Sequence, residues 1–143
     1  MKNIEIIVRA LILKKNKVLL CKLKSERHYF LPGGHLKFGE SIKKALLREL
    51  NEELGIKPKI GPLVGICEHI YCKNGKKHHE IDLIFKVKMR KSKLESKERK
   101  LKFNFVDLKK FKNVYFLPKK LKKALTFYFK NKKFFWESFK NKK

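Results

Sequence analysis

A chain of 143 residues with 43% hydrophobic residues is long enough for one packed domain and too apolar for wholesale disorder. Its 39 Lys+Arg against 13 Asp+Glu leave a formal net charge of +26. Such a field draws anions, so nucleotides, RNA and acidic membranes are candidate partners, with a generic lysine-rich solvated face as the plainer alternative. Three cysteines, Cys21, Cys67 and Cys72, without C-x-x-C spacing argue against a disulfide scaffold or zinc ribbon. No apolar run is long enough to span a membrane or is built as a signal peptide, and reduced thiols in a cytoplasmic protein are expected.

Residues 4–13 (IEIIVRALIL) are rich in β-branched and aliphatic types and read as a strand. A polar turn follows, and residues 17–23 return as the second half of a hairpin. Tyr29-Phe30-Leu31 reads as a short strand stopped by a tight turn at Pro32-Gly33-Gly34. From Ser41 to Leu54 the pattern is helical, with Ser41 as N-cap and Gly55 in the left-handed position after the helix. Residues 60–72 and 78–89 read as strands joined at Lys73-Asn74-Gly75-Lys76, with Ile81, Leu83, Phe85, Val87 and Met89 facing one way. Residues 101–107 alternate again. Pro118 opens a second helix running to about Lys130. This order predicts one α/β domain, a mixed sheet packed between helices, over residues 1–130. Residues 131–143 form a basic, aromatic tail whose Phe134, Phe135, Trp136 and Phe139 are expected to dock on the domain, as an apolar stripe if the tail is helical.

Acidic residues are scarce, so their placement matters. Glu49, Glu52 and Glu53 recur at i, i+3 and i+4 and span roughly 100° of an ideal helix. The apolar stripe Leu46, Leu50 and Leu54 lies beside them. Like charges at this spacing repel, and partial burial favours the neutral carboxyl unless a cation compensates. Lys43 and Lys44 lie elsewhere on the wheel, whereas a hard divalent cation takes carboxylate and phosphate oxygens together. An isolated E-x-x-E-E is equally a solvated acidic face.

The flanking residues decide between these. Gly34, Glu40, Arg48, Glu49, Leu50, Glu52, Glu53, Gly55 and Ile56 match the pattern G-x5-E-x7-R-E-U-x-E-E-x-G-U over 23 residues, and the chain resembles the Nudix family on that basis. The resemblance implies an α/β/α sandwich and cleavage of a pyrophosphate bond in a nucleoside diphosphate linked to some group X. It implies that Glu49, Glu52, Glu53 and the carbonyl of Gly33 bind Mg2+, with Mn2+ as an alternative, while Gly34, Glu40, Arg48 and Gly55 shape the loop and helix. Family members also use a later glutamate; Glu80 is the candidate for metal binding or proton removal, and Glu68 a weaker one. Glu49 is the first choice of base within the box.

Residues 33–40 (GGHLKFGE) resemble the form in nucleotide-pool enzymes of the family, which favours a nucleoside triphosphate or related small nucleotide. Arg9, Phe30, Tyr71 and Phe105 are candidate substrate contacts. His78 and His79 are adjacent, so on a strand they point apart and cannot readily share a zinc ion. Two alternatives stay open: hydrolysis at the 5′ end of RNA, which would use the basic surface and tail, and a non-catalytic nucleotide- or RNA-binding module. The chain is compatible with a monomer or a homodimer.

Overall fold

The computed structural model describes residues 2–90 and 94–139. Strand β1 (Ile4–Lys14) and β2 (Lys17–Leu23) come first, then a short β3 (Gly33–His35) and helix α1 (Ile42–Leu54). A long hairpin follows, β4 (Lys59–Lys73) and β5 (Lys76–Lys88), then β6 (Leu101–Asp107) and a 3-10 turn, Leu108–Asn113. Helix α2 (Lys119–Asn131) and a three-residue β7 (Phe135–Glu137) close the described chain. The strands form one mixed seven-stranded sheet in the order β6-β2-β1-β5-β4-β7, with β3 also paired to β1.

The sheet is covered on both faces because β1 sends alternate residues in opposite directions. Val8, Ala10 and Ile12 pack with Leu19 against Ala45, Leu46, Leu50 and Leu54 of α1. Leu11 packs on the other face with Ile84, Phe111, Phe116, Leu121 and Leu125 under α2. Leu46 and Leu50 are fully buried, which contributes roughly 1.5–3 kcal/mol each toward seating α1. Ser41 caps α1 by accepting from the Lys44 N–H at 3.3 Å, and Gly55 ends it at φ 64°. Asn74 and Gly75 both take positive φ, the geometry of a two-residue hairpin turn.

Two local expectations change. Tyr29 and Phe30 make only single bridges, to Phe116 and Cys21; the true strand starts two residues after Leu31, at Gly33. Gly33-Gly34-His35 pairs antiparallel with Ile7–Arg9, so the glycine pair is strand rather than turn. Close backbone approach explains it: a Cβ on Gly33 would lie 1.9 Å from the Val8 carbonyl oxygen. On β5, Ile81, Leu83, Phe85 and Val87 share a face as expected, the first three half-buried and Val87 buried, while Glu80, Asp82 and Ile84 on the other face are buried. The period-2 pattern marks two faces but not which is deeper in a sheet covered on both sides.

Phe135 and Trp136 sit on a strand, not a helix, so they alternate: Phe135 is buried and Trp136 exposed. β7 runs parallel to β4, and the Phe135 ring lies over Gly65, where a Cβ would come within 2.2 Å of it. The tail segment 140–143 lies outside the described residues. Among the described residues no helix is long and apolar enough to cross a membrane. Cys21 and Cys67 are buried and Cys72 exposed, all unpaired; burial pushes the Cys67 thiol up to about 12.

Candidate active site

β1 and β2 pair only at Leu13–Val18 and Lys14–Lys17. The gap that opens behind them admits residues 30–35, with the Ala10 N–H donating to the Pro32 carbonyl at 2.8 Å. That split in the sheet is where the box sits. Gly33 and Gly34 lie at its floor, and α1 leans over them.

Arg48 organises the loop between β3 and α1. Its Nε donates to Glu40 Oε2 at 3.1 Å and its Nη2 to Glu40 Oε1 at 2.7 Å, a bidentate pair. The same Nη2 donates to the His35 carbonyl at 3.0 Å. The Lys37 N–H also donates to Glu40 at 2.9 Å. These donors, Arg48 first, hold the Glu40 carboxyl down to about 2.

Glu49 and Glu53 lie against the glycine pair, and Glu52 lies on the Arg48 side of the same helix. Glu49 accepts from Arg48 Nη1 at 2.8 Å, and Glu52 lies 3.5 Å from the same nitrogen. A Cβ on Gly34 would lie 2.5–2.6 Å from the Glu49 carboxylate, so a side chain there would push Glu49 away from its present place. Glu53 is 7% exposed and, among the described residues, its carboxylate receives only a long 3.4 Å bond from the Gly33 N–H. Burial pushes its carboxyl up to about 8; Arg9 pulls it down, and Glu49 and Glu98 push it further up. Glu98 was not foreseen, since no motif marks it. Its segment reaches α1 through the Lys97 N–H, which donates to the Glu53 carbonyl at 2.9 Å.

A buried carboxylate with one weak donor, beside two more carboxylates, fits an oxygen-preferring divalent cation. The donor set is all oxygen, which suits Mg2+ or Mn2+. The three carboxylates do not converge on one point. Among the described residues the compact clusters of potential ligand atoms lie elsewhere, at Glu5-His78-Glu80 and His69-Glu80-Asp82.

A cleft of about 660 Å³ opens on the α2 face of the sheet. Arg9, His28, Phe30, Tyr71 and Glu80 line it, with Lys73, Lys119 and Lys120 at its walls. Arg9 stands 5.6 Å over the Phe30 ring and donates to the Leu31 carbonyl at 3.0 Å. So Arg9, Phe30 and Tyr71 are brought together in this cleft. Phe105 is not: it packs on the α1-side core, with Lys14 over its ring.

Glu80 likewise belongs to the cleft and not to the network of the box glutamates. Tyr71 Oη donates to it, and His69 Nε2 lies 3.1 Å from its Oε2. Burial would raise this carboxyl, but His69 and Tyr71 outweigh it and hold it at about 2. Glu68 accepts from Ser138 and sits by His79, again away from the box. His78 and His79 find different partners, Glu5 and Glu68.

An α/β/α sandwich whose glycine pair, arginine clamp and glutamate-bearing helix meet at a split in the sheet defines a class of phosphate-handling domains. The model of the NUDIX domain matches residues 4–134, and the chain belongs to that family. It is 40% identical over 62 residues to an ADP-ribose pyrophosphatase of Methanocaldococcus jannaschii, a match covering 41% of this chain and 37% of that protein. It is 38% identical over 55 residues to an 8-oxo-dGTP diphosphatase of Buchnera aphidicola, covering 36% and 42%. The matched region thus spans less than half the length of either relative. A MutT protein from Methanosarcina mazei Go1 superposes with a TM-score of 0.76 at 25% identity, over 92% of this chain and 97% of that one.

Proposed function

We propose that this protein is a divalent-cation-dependent hydrolase of a pyrophosphate bond in a nucleoside diphosphate linked to X, acting on a nucleoside triphosphate or related small nucleotide. The observation that supports this is the placement of Glu49 and Glu53 against Gly33-Gly34 on the helix that also bears Glu52, with Glu53 buried and, among the described residues, hydrogen-bonded only by the Gly33 N–H at 3.4 Å. Those three carboxylates and the Gly33 carbonyl would hold the ion. Bound there, it supplies charge neutralisation for the diphosphate oxygens.

The protein's own groups do the rest. Arg48 fixes Glu49, our choice for the carboxylate that takes a proton from attacking water, and ties the loop through Glu40. The cleft lies within the volume range of nucleotide-sized pockets and offers Phe30, His28 and Tyr71 as ring surfaces. Lys73, Lys119 and Lys120 supply positive charge along its walls. Both named relatives, an ADP-ribose pyrophosphatase and an 8-oxo-dGTP diphosphatase, carry names of nucleotide pyrophosphohydrolases, which favours the same substrate class.

The cleft-wall lysines and the net charge of +26 also favour a second reading, removal of pyrophosphate from the 5′ end of RNA. A product-resolved screen with Mg2+ separates the two. Nucleoside triphosphates, ADP-ribose, nucleotide sugars, dinucleotide polyphosphates and triphosphorylated RNA would be compared with the wild type and Glu53→Gln. Turnover confined to small nucleotides supports the first reading. Turnover confined to RNA supports the second, and RNA binding without hydrolysis of anything makes the protein a binding module.

A further inference from the structure

We propose that His69, Glu80 and Asp82 form a second divalent-metal site, separate from the box, for a transition ion of the Zn2+ or Mn2+ class. The three side chains come from adjacent strands and point to one face. His69 on β4 lies directly opposite Glu80 on β5, and Asp82 is the next residue on the same side of β5. All three are buried, and one potential ligand atom from each lies within 4.8 Å of the others.

The spacing suits an ion. His69 Nε2 is 3.1 Å from Glu80 Oε2 and 3.2 Å from Asp82 Oδ2. Ligand atoms bonded at about 2.1 Å to one tetrahedral or octahedral metal stand about 3.0–3.4 Å apart. One imidazole nitrogen with two carboxylate oxygens is a mixed donor set that favours zinc, manganese or iron over magnesium. Three protein ligands also leave a coordination position free, as open metal sites do. His69 and Glu80 line the cleft, so that position faces an entry path.

Hydrogen bonding alone leaves the cluster incomplete. The His69 Nε2 faces both carboxylates, and among the described residues Asp82 Oδ1 has no hydrogen-bond partner although Asp82 is 1% exposed. The Arg9 Nε is 3.9 Å from it, beyond hydrogen-bond reach. Asp82 Oδ1 is thus held at ion-pair distance by the Arg9 guanidinium alone, without a hydrogen bond among the described residues, while Oδ2 faces His69. The neighbouring cluster at Glu5 lacks this feature, since Glu5 already meets both His35 and His78 at 2.9 Å.

The test removes the box from consideration. In full-length Glu49→Gln/Glu52→Gln protein, Zn2+ binding is measured by competition with a chromophoric chelator, a readout independent of hydrolysis. We expect one equivalent to remain bound at micromolar Kd or tighter, and His69→Gln or Asp82→Asn to weaken it at least tenfold. Absence of any binding below millimolar, or binding indifferent to both substitutions, overturns the site. A second measurement needs no change in the cluster. In the same box-disabled protein, substoichiometric Mn2+ should broaden the His69 ring NMR signals before those of the other histidines. Equal broadening of all five overturns the proposal.

Discussion

Two buried glutamates in this molecule ionise in opposite ways. Glu53 and Glu80 are 7% and 8% exposed, yet one carboxyl is pushed up to about 8 and the other held at about 2. Burial opposes ionisation of both. Glu80 has His69 and Tyr71 as partners, whereas among the described residues the Glu53 carboxylate has a single long bond from a backbone N–H. Burial therefore sets the cost and the partners decide whether it is met. The α1 side of the molecule leaves Glu53 short of positive charge; the cleft side satisfies Glu80 internally.

The contrast can be broken most directly by activity. Glu52→Gln or Glu53→Gln should lower kcat at saturating Mg2+ by about 10²–10⁴-fold, equivalent to about 3–5 kcal/mol, with an unchanged circular dichroism spectrum. A rate within threefold of wild type would remove the box from the chemistry. Gly33→Ala should destabilise the fold by about 3 kcal/mol, because the new methyl meets the Val8 carbonyl and the residue holds φ 139°; chemical denaturation reads this.

Glu80→Gln should lower kcat/KM by only about tenfold, since its carboxylate is engaged outside the box. A loss as large as that of Glu53→Gln would merge the two regions into one site. In metal-free protein the Glu53 carboxyl holds its proton more tightly folded than unfolded, so its contribution makes stability fall as pH rises from 4.5 through about 8. His69, raised to about 9 by Asp82 and Glu80 against the opposing effect of burial, adds stability below pH 6.5 that is lost as pH rises through 9. Glu80 acts oppositely to Glu53, adding stability above pH 4.5 that is lost toward pH 2. The metal-free Tm should accordingly fall between pH 5.5 and 8, and fall less in Glu53→Gln; equal slopes in the two proteins would contradict the assignment. The smallest effect is Ser41→Ala, about 1 kcal/mol from loss of the cap on α1, read by denaturant midpoint.

Much of the site was legible because it is local. The helix, its caps and the i, i+3, i+4 placement of Glu49, Glu52 and Glu53 depend on neighbours within one turn. The Arg48–Glu40 clamp spans only eight residues. Even the His69–Glu80 pairing was latent in the chain: an Asn-Gly two-residue turn sets the hairpin register and carries it back to those positions. Asp82 was passed over because a polar residue on a strand reads as solvent-facing unless the other face is known to be covered too. Glu98 and the exclusion of Phe105 from the cleft rest on contacts between distant segments, which no periodicity encodes.

The amino-acid order alone determined the sandwich of alternating elements, the box and its acidic helix, because period, capping and turn chemistry act over a few residues. Only the tertiary structure decided that the glycine pair enters the sheet as a strand, that Glu53 is buried without a strong partner, and that His69, Glu80 and Asp82 come together on one buried face of the sheet. Those outcomes depend on which faces two packed layers cover and how closely backbones approach, and both are properties of the assembled fold.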